Sequence, residues 1–163
     1  MGKVIGMDPG ITGAVAVLTD DGALVECFDI PAFKVRGKSQ IDVHQLGSFI
    51  ASHAQGARAV VEDVHSMPKQ GVSSTFTFGL SKGVLLGIVG ALAMPFELVA
   101  PQTWKGHFRL TKDADHSRQL ATRHWPASGL FSRVKDHNRA EAALIALYSI
   151  ETSRSLAMAE EAF

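Results

Sequence analysis

The chain has 163 residues, 46% of them hydrophobic, with 16 basic and 16 acidic side chains and one cysteine, Cys27. That length suits a single domain spanning 1–163. The apolar content excludes a disordered chain, and one cysteine excludes an intramolecular disulfide framework or a multi-cysteine zinc site.

The first apolar run, "KVIGMD", predicts a short strand that stops at Asp8 and turns at once through "PGITG". "GAVAVLT" and "ALVECFD" follow across the tight turn "DDG", so three strands read as an antiparallel meander. "KVRGKSQ" reads as a polar, basic loop, and "IDVHQLGSFIASHA" has apolar residues at near-helical spacing. "ARAVVED" is a fourth strand that also ends in carboxylates, Glu62 and Asp63. The loop "HSMPKQGVSST" leads into a long apolar helix, "FTFGLSKGVLLGIVGALAM", and "FELVA" is a fifth strand closed by Pro101. Further helices are predicted near 102–106, 114–124 and 137–155. The longest apolar stretch, 83–96, is too short to span a bilayer, and "MGK" carries no signal or transit pattern.

The order β-β-β-α-β-α-β-α-α predicts an α/β domain. It has a five-stranded mixed sheet, three meander strands plus parallel strands, with helices on both faces. This is the element order of the RNase H-like fold. On the long helix Gly79, Gly83, Gly87 and Gly90 recur on one side. Interior glycines cost a helix about 1 kcal/mol each, so the spacing points either to close packing on the sheet or to a two-fold subunit contact.

Charge is spread unevenly: residues 101–139 carry 8 basic and 3 acidic groups plus four histidines, a net +5 in a neutral whole. Such a segment is either a footprint for phosphate or a solvated helix face.

Two carboxylates at adjacent strand ends repel unless a cation or proton lies between them. Asp8 ends the first strand and Glu62 the fourth, strands that can end together in a mixed sheet, and "VKDHNRAEAALIALY" adds Asp136, His137 and Glu141 at the start of the last helix. Acids from two strand ends and a helix start suit Mg²⁺ or Mn²⁺, hard cations that take oxygen ligands. Two such ions about 4 Å apart can activate water and hold both oxygens of a phosphodiester displacement. Singly, each acid has a plainer role: Asp8 can cap a turn, Asp136 can cap a helix, and Glu141 can pair with Arg139 or Lys135.

Together, "IGMDPGITGAVAV", "VVEDV", "PQTWK" and "KDHNRAEAALIALY" resemble the RuvC-like Holliday junction resolvases. The closing KDHxRAEA form is most similar to the phage-type and chloroplast-type branch. The resemblance runs in one order over nearly the whole chain. It implies an RNase H-like homodimer that nicks four-way DNA junctions symmetrically with divalent metal. With no transit pattern, a cytoplasmic, phage-encoded or bacterial protein with no membrane partner is expected, not an organellar one. Carried onto this sequence, Asp8, Glu62 and Glu141 match three acidic positions.

One position departs from the family pattern. Bacterial members usually place the fourth ligand three residues before the last acid, and here that residue is Asn138. Asp136 is the expected substitute because a carboxylate suits Mg²⁺ better than an imidazole; His137 is the alternative, as a ligand or a phosphate contact. Lys105 and Lys112 are candidates to hold the scissile phosphate. In the loop after Glu62 and the helix beyond it, Met67, Lys69, Phe76 and Phe78 can reach junction bases or backbone, although both phenylalanines also fit a core. Arg36, Lys38 and Arg139 complete the candidate DNA contacts.

Two other functions compete. "DPGITG" is similar to the phosphate turn of sugar-kinase and actin-like ATPases, but those need two duplicated domains and a much longer chain. A junction-binding protein without catalysis is the other, motivated by Asn138.

Overall fold

A computed structural model describes residues 2–65, 71–111 and 113–160. Its strands are β1 (Lys3–Asp8), β2 (Ala14–Thr19), β3 (Leu24–Asp29), β4 (Ala32–Val35), β5 (Lys38–Ile41), β6 (Ala57–Glu62) and β7 (Phe96–Val99). Its helices are α1 (Val43–His53), α2 (Val72–Ala91), α3 (Pro101–His107), α4 (Ala114–His124) and α5 (His137–Glu160), with a 3₁₀ turn at Val134–Asp136 before α5. Five strands form one mixed sheet in the order β3-β2-β1-β6-β7. β1–β2 and β2–β3 are antiparallel, and β1–β6 and β6–β7 are parallel, as the element order predicts.

The central strand β1 is buried on both faces, and strand side chains alternate between them. Val4 packs with Leu144, Ile145, Trp104 and Phe131 on the α3–α4–α5 side. Ile5 and Met7 pack with Leu46, Ile50, Leu85 and Val89 on the α1–α2 side. Each large apolar side chain fully buried in these layers contributes about 1.5–3 kcal/mol of transfer free energy.

Gly6 decides how closely α5 approaches. A Cβ there would stand 2.0 Å from the Ala142 carbonyl oxygen and 2.7 Å from the Ala146 nitrogen. The facing turns of α5 are alanine-rich, so helix backbone and strand backbone meet without side chains between them.

Two expectations are corrected. The stretch 34–40 is not a loop: it lies in a two-stranded antiparallel hairpin, β4–β5, separate from the main sheet. Its two-residue turn is Arg36–Gly37, with φ of 50° and 78°. Positive φ at both central positions is the hairpin turn that matches strand twist, and Gly37 meets half of that demand without steric cost. The second correction concerns α2. Ser81, Leu85 and Val89 face the sheet, whereas Gly79, Gly83, Gly87 and Gly90 are exposed with open space beyond each Cα. The glycines therefore do not serve packing on the sheet. At 20 residues α2 is also long and apolar enough to cross a membrane by length and composition; here it lies along the sheet, with Lys82 mid-helix bonded to Asp63.

Candidate active site

The parallel β1–β6 ladder runs to Met7↔Val61, so Asp8 and Glu62 are the next neighbours at one end of the sheet. Their parity places both side chains on the α5 face, with Val4 and Val60. α5 starts at the same end, and the Gly6 contact draws its first turns onto β1. Asp8, Glu62 and Glu141 thus line one cleft of about 550 Å³ together with Thr12, Ser73, Ser74, Thr77, Phe78, His137 and Asn138.

The acids are held in a strongly negative, partly dry setting. Asp8 is 8% exposed and Glu62 6%. Burial first, then the charges of Glu62 and Glu141, push the Asp8 carboxyl well above the usual carboxylate range, against a smaller lowering by Lys105. Burial likewise raises Glu62, offset in part by the Trp104 indole, whose Nε1–H donates to Oε1 at 2.9 Å. Glu141 accepts from Lys105 Nζ at 3.0 and 3.1 Å and from Ser117 Oγ at 3.2 Å. Among the described residues, no three carboxylate, imidazole or thiol groups stand close enough to hold an ion as placed. The donor set nonetheless suits a hard cation. Its core is all-oxygen, and Asp8 is raised by two neighbouring carboxylates, which a cation between them would relieve.

The helix start reverses the expected choice of fourth ligand. Asp136 is 2% exposed and does not line the cleft. Its carboxylate accepts from the Arg133 backbone nitrogen at 2.8 Å, and from Arg133 Nε and Nη2 at 3.0 and 2.7 Å. Burial alone would raise this carboxyl, but the Arg133 bonds and charge hold it below its ordinary value. It is the last residue of the 3₁₀ turn and closes a capping box with the N-cap Arg133, so both oxygens are occupied. His137 does line the cleft, and its Nδ1–H donates to the Val134 carbonyl at 3.1 Å. That bond leaves Nε2 as the ring's lone-pair nitrogen, the arrangement usual for a metal-ligating histidine. Asn138 donates from Nδ2 to the Thr12 carbonyl and ties α5 to the turn after β1.

Other candidates scatter. Arg139 is committed to Asp29 through two bonds of 2.5 and 2.6 Å, so it is a structural residue and not a free DNA contact. Phe76 is 71% exposed and Phe78 42% exposed, so neither is a core residue. Arg36 and Lys38 lie on the β4–β5 hairpin. Met67, Lys69 and Lys112 lie outside the described residues.

Sequence reading missed Trp104 and Ser117 as supports of the acids. "PQTWK" flagged the tryptophan only as part of a motif, and nothing marked Ser117, because its contact with Glu141 spans two helices. Ser73, Ser74 and Thr77 were also missed; their one signal was the hydroxyl-rich start of α2.

No family model matches the chain, and no curated protein matches it either. Solved structures do. Thermus thermophilus RuvC in complex with a Holliday junction substrate aligns with a TM-score of 0.64 at 13% identity, covering 93% of this chain and 96% of that one. A second Thermus thermophilus RuvC structure aligns with a TM-score of 0.59 at 15% identity over the same shares of both chains. At these identities the likeness is one of fold, and the five-stranded mixed sheet flanked by helices is a RuvC-like, RNase H-like fold.

Proposed function

We propose that this protein is a structure-selective endonuclease of the phage-type and chloroplast-type branch, resolving four-way DNA junctions by paired, symmetric, metal-dependent nicks. The observation that carries the reading is the convergence of Asp8, Glu62 and Glu141 in one cleft at the end of a RuvC-like sheet. Asp8, Glu62, Glu141 and His137 would hold Mg²⁺ or Mn²⁺, two ions to a site. Bound there, the metal would activate water and stabilise charge on the phosphate. The chain's own groups do the rest. Trp104 and Ser117 orient Glu62 and Glu141, and Lys105, released from Glu141, is placed to meet phosphate charge. The exposed Phe76 and Phe78 offer faces for unstacked bases at the junction centre.

The partner would be a second copy of the chain, since a junction has two equivalent strands to cut. The open glycine face of α2 is the proposed contact.

The deciding assay is cleavage of a synthetic four-way junction, beside linear duplex, with Mg²⁺ or Mn²⁺. Paired nicks in the junction alone are expected from wild type and none from Asp8→Asn, which should still bind. Junction binding without cleavage by wild type would instead favour a non-catalytic junction-binding protein, the reading that Asn138 motivates.

A further inference from the structure

The β4–β5 hairpin is unexplained by the cleft chemistry. Between Ile30 and Ile41 the sequence carries Lys34, Arg36 and Lys38 and no acid. Every residue from Ala32 to Gln40 is exposed. None of the three cations makes an ion pair among the described residues. The flanking acids are already committed: Asp29 to Arg139, and Asp42 to the His44 and Gln45 nitrogens at the start of α1. The positive charge on this ribbon therefore has no internal use.

Its two faces also differ from those of a sheet edge that covers a core. The register Phe33↔Gln40 and Val35↔Lys38 puts Phe33, Val35 and Lys38 on one face, and Lys34 with Ser39 on the other. Arg36 sits at the tip. Cations on both faces and at the tip suit a ribbon flanked by charge on two sides, as in a nucleic-acid groove, and a major groove admits a two-stranded ribbon.

The placement fixes the reach. Asp29, where β3 ends, pairs with Ala14, which pairs with Asp8. The end of β3 is thus two strands, about 10 Å, from the cleft, and the chain from Asp29 to the tip at Arg36 extends at most about 24 Å further. Its tip can lie at most about 34 Å from Asp8, about ten base pairs of duplex.

We propose that the β4–β5 hairpin is a duplex-binding ribbon that lies along the groove of one junction arm, within about ten base pairs of the cut, with Lys34, Arg36 and Lys38 on phosphates. This rests on the resolvase reading for its substrate. The test compares wild type with the triple variant Lys34→Gln, Arg36→Gln, Lys38→Gln. Fluorescence anisotropy on a four-way junction and on linear duplex is measured over a salt series, with hydroxyl-radical footprinting of the junction arms. The expected result is roughly a 10- to 100-fold weaker junction affinity at low salt and a log–log salt slope smaller by about two to three. Protection should be lost only on one arm near the cut. Circular dichroism should be unchanged, because the substituted side chains are exposed; if the triple variant does not fold, Arg36→Gln and Lys38→Gln are read singly, each for a slope change of about one. An unchanged slope on both DNAs, or unchanged protection, overturns the proposal. Wild type that binds DNA but cuts no junction sinks the resolvase reading, and the slope on linear duplex still decides the hairpin's role.

Discussion

Asp8 carries its ionisation state into stability. In the folded protein its carboxyl is raised by burial, then by Glu62 and Glu141, whereas in the unfolded chain it ionises at the ordinary value. The folded state therefore binds that proton more tightly. The stability it contributes is fully present below the ordinary carboxylate range and is lost as pH rises through the raised folded value. Asp8→Asn has no such loss. In chelator, its thermal midpoint should exceed that of wild type at neutral pH, and the gap should shrink towards about pH 4. Calorimetry giving equal midpoints at neutral pH would mean that the Asp8 charge is not strained. Asn138 is the opposite case, because its amide hydrogen is what the Thr12 carbonyl needs. An aspartate there would lose that bond and add a fourth negative group to the cleft. Asn138→Asp should cost roughly 1–3 kcal/mol of metal-free stability in a denaturant series. Gain of cleavage by this variant from an inactive wild type would instead mark Asn138 as a disabled ligand.

At the scale of elements, the close approach of α5 to β1 places Glu141. The contact is backbone to backbone at Gly6, where a methyl group would stand 2.0 Å from the Ala142 carbonyl oxygen. Neither strand nor helix backbone can yield as a flexible side chain does. Gly6→Ala should push α5 outward, at a cost of about 1–3 kcal/mol, and should separate Glu141 from Asp8 and Glu62. Junction cleavage should fall by more than the folded fraction does; an equal fall in both would mean that the contact serves stability alone. The two carboxylate strand ends were legible in the sequence, since alternation puts Asp8 on the face of Val4 and Glu62 on that of Val60, but only the parallel β1–β6 register makes these one face. The helix start was not legible. Asp136 and His137 are adjacent, and only the 3₁₀ turn, which gives Asp136 to Arg133 and turns His137 into the cleft, separates a cap from a ligand.

At the scale of the whole molecule, the basic segment is less available than its count suggests. Arg118, Arg133 and Arg139 are bonded to Asp115, Asp136 and Asp29, and Lys105 to Glu141. Arg109, Arg123 and Lys135 make no ion pair among the described residues. Much of the local excess of charge thus holds the fold and leaves less for phosphate. The open face of α2 has the reverse character. A Cβ added at its glycines would meet open space, while Phe76, Phe78 and Leu80 are exposed on the same helix. A dimer through this face predicts that Gly83→Leu with Gly87→Leu gives monomers at micromolar concentration in sedimentation. Paired cleavage should become uncoupled single nicks. A doubly substituted protein that still sediments as a dimer would place the contact elsewhere.

Local chemistry determined the strand order of the chain, the meander, the long apolar helix and the carboxylates at two strand ends. Each of these depends on residues near in sequence: side-chain alternation, turn glycines and apolar periodicity. Tertiary structure decided what depends on distance. It brought Trp104 to Glu62 across 42 positions and Lys105 to Glu141 across 36. It also turned the α2 glycines outward, whereas the hairpin in the basic stretch is local and closes on its own Arg36–Gly37 turn. The physical reason is common to the two pairings and the glycine face. Which partner a side chain meets, and which face of an element is left open, is set by how helices pack on the sheet, and neighbouring residues carry little record of that.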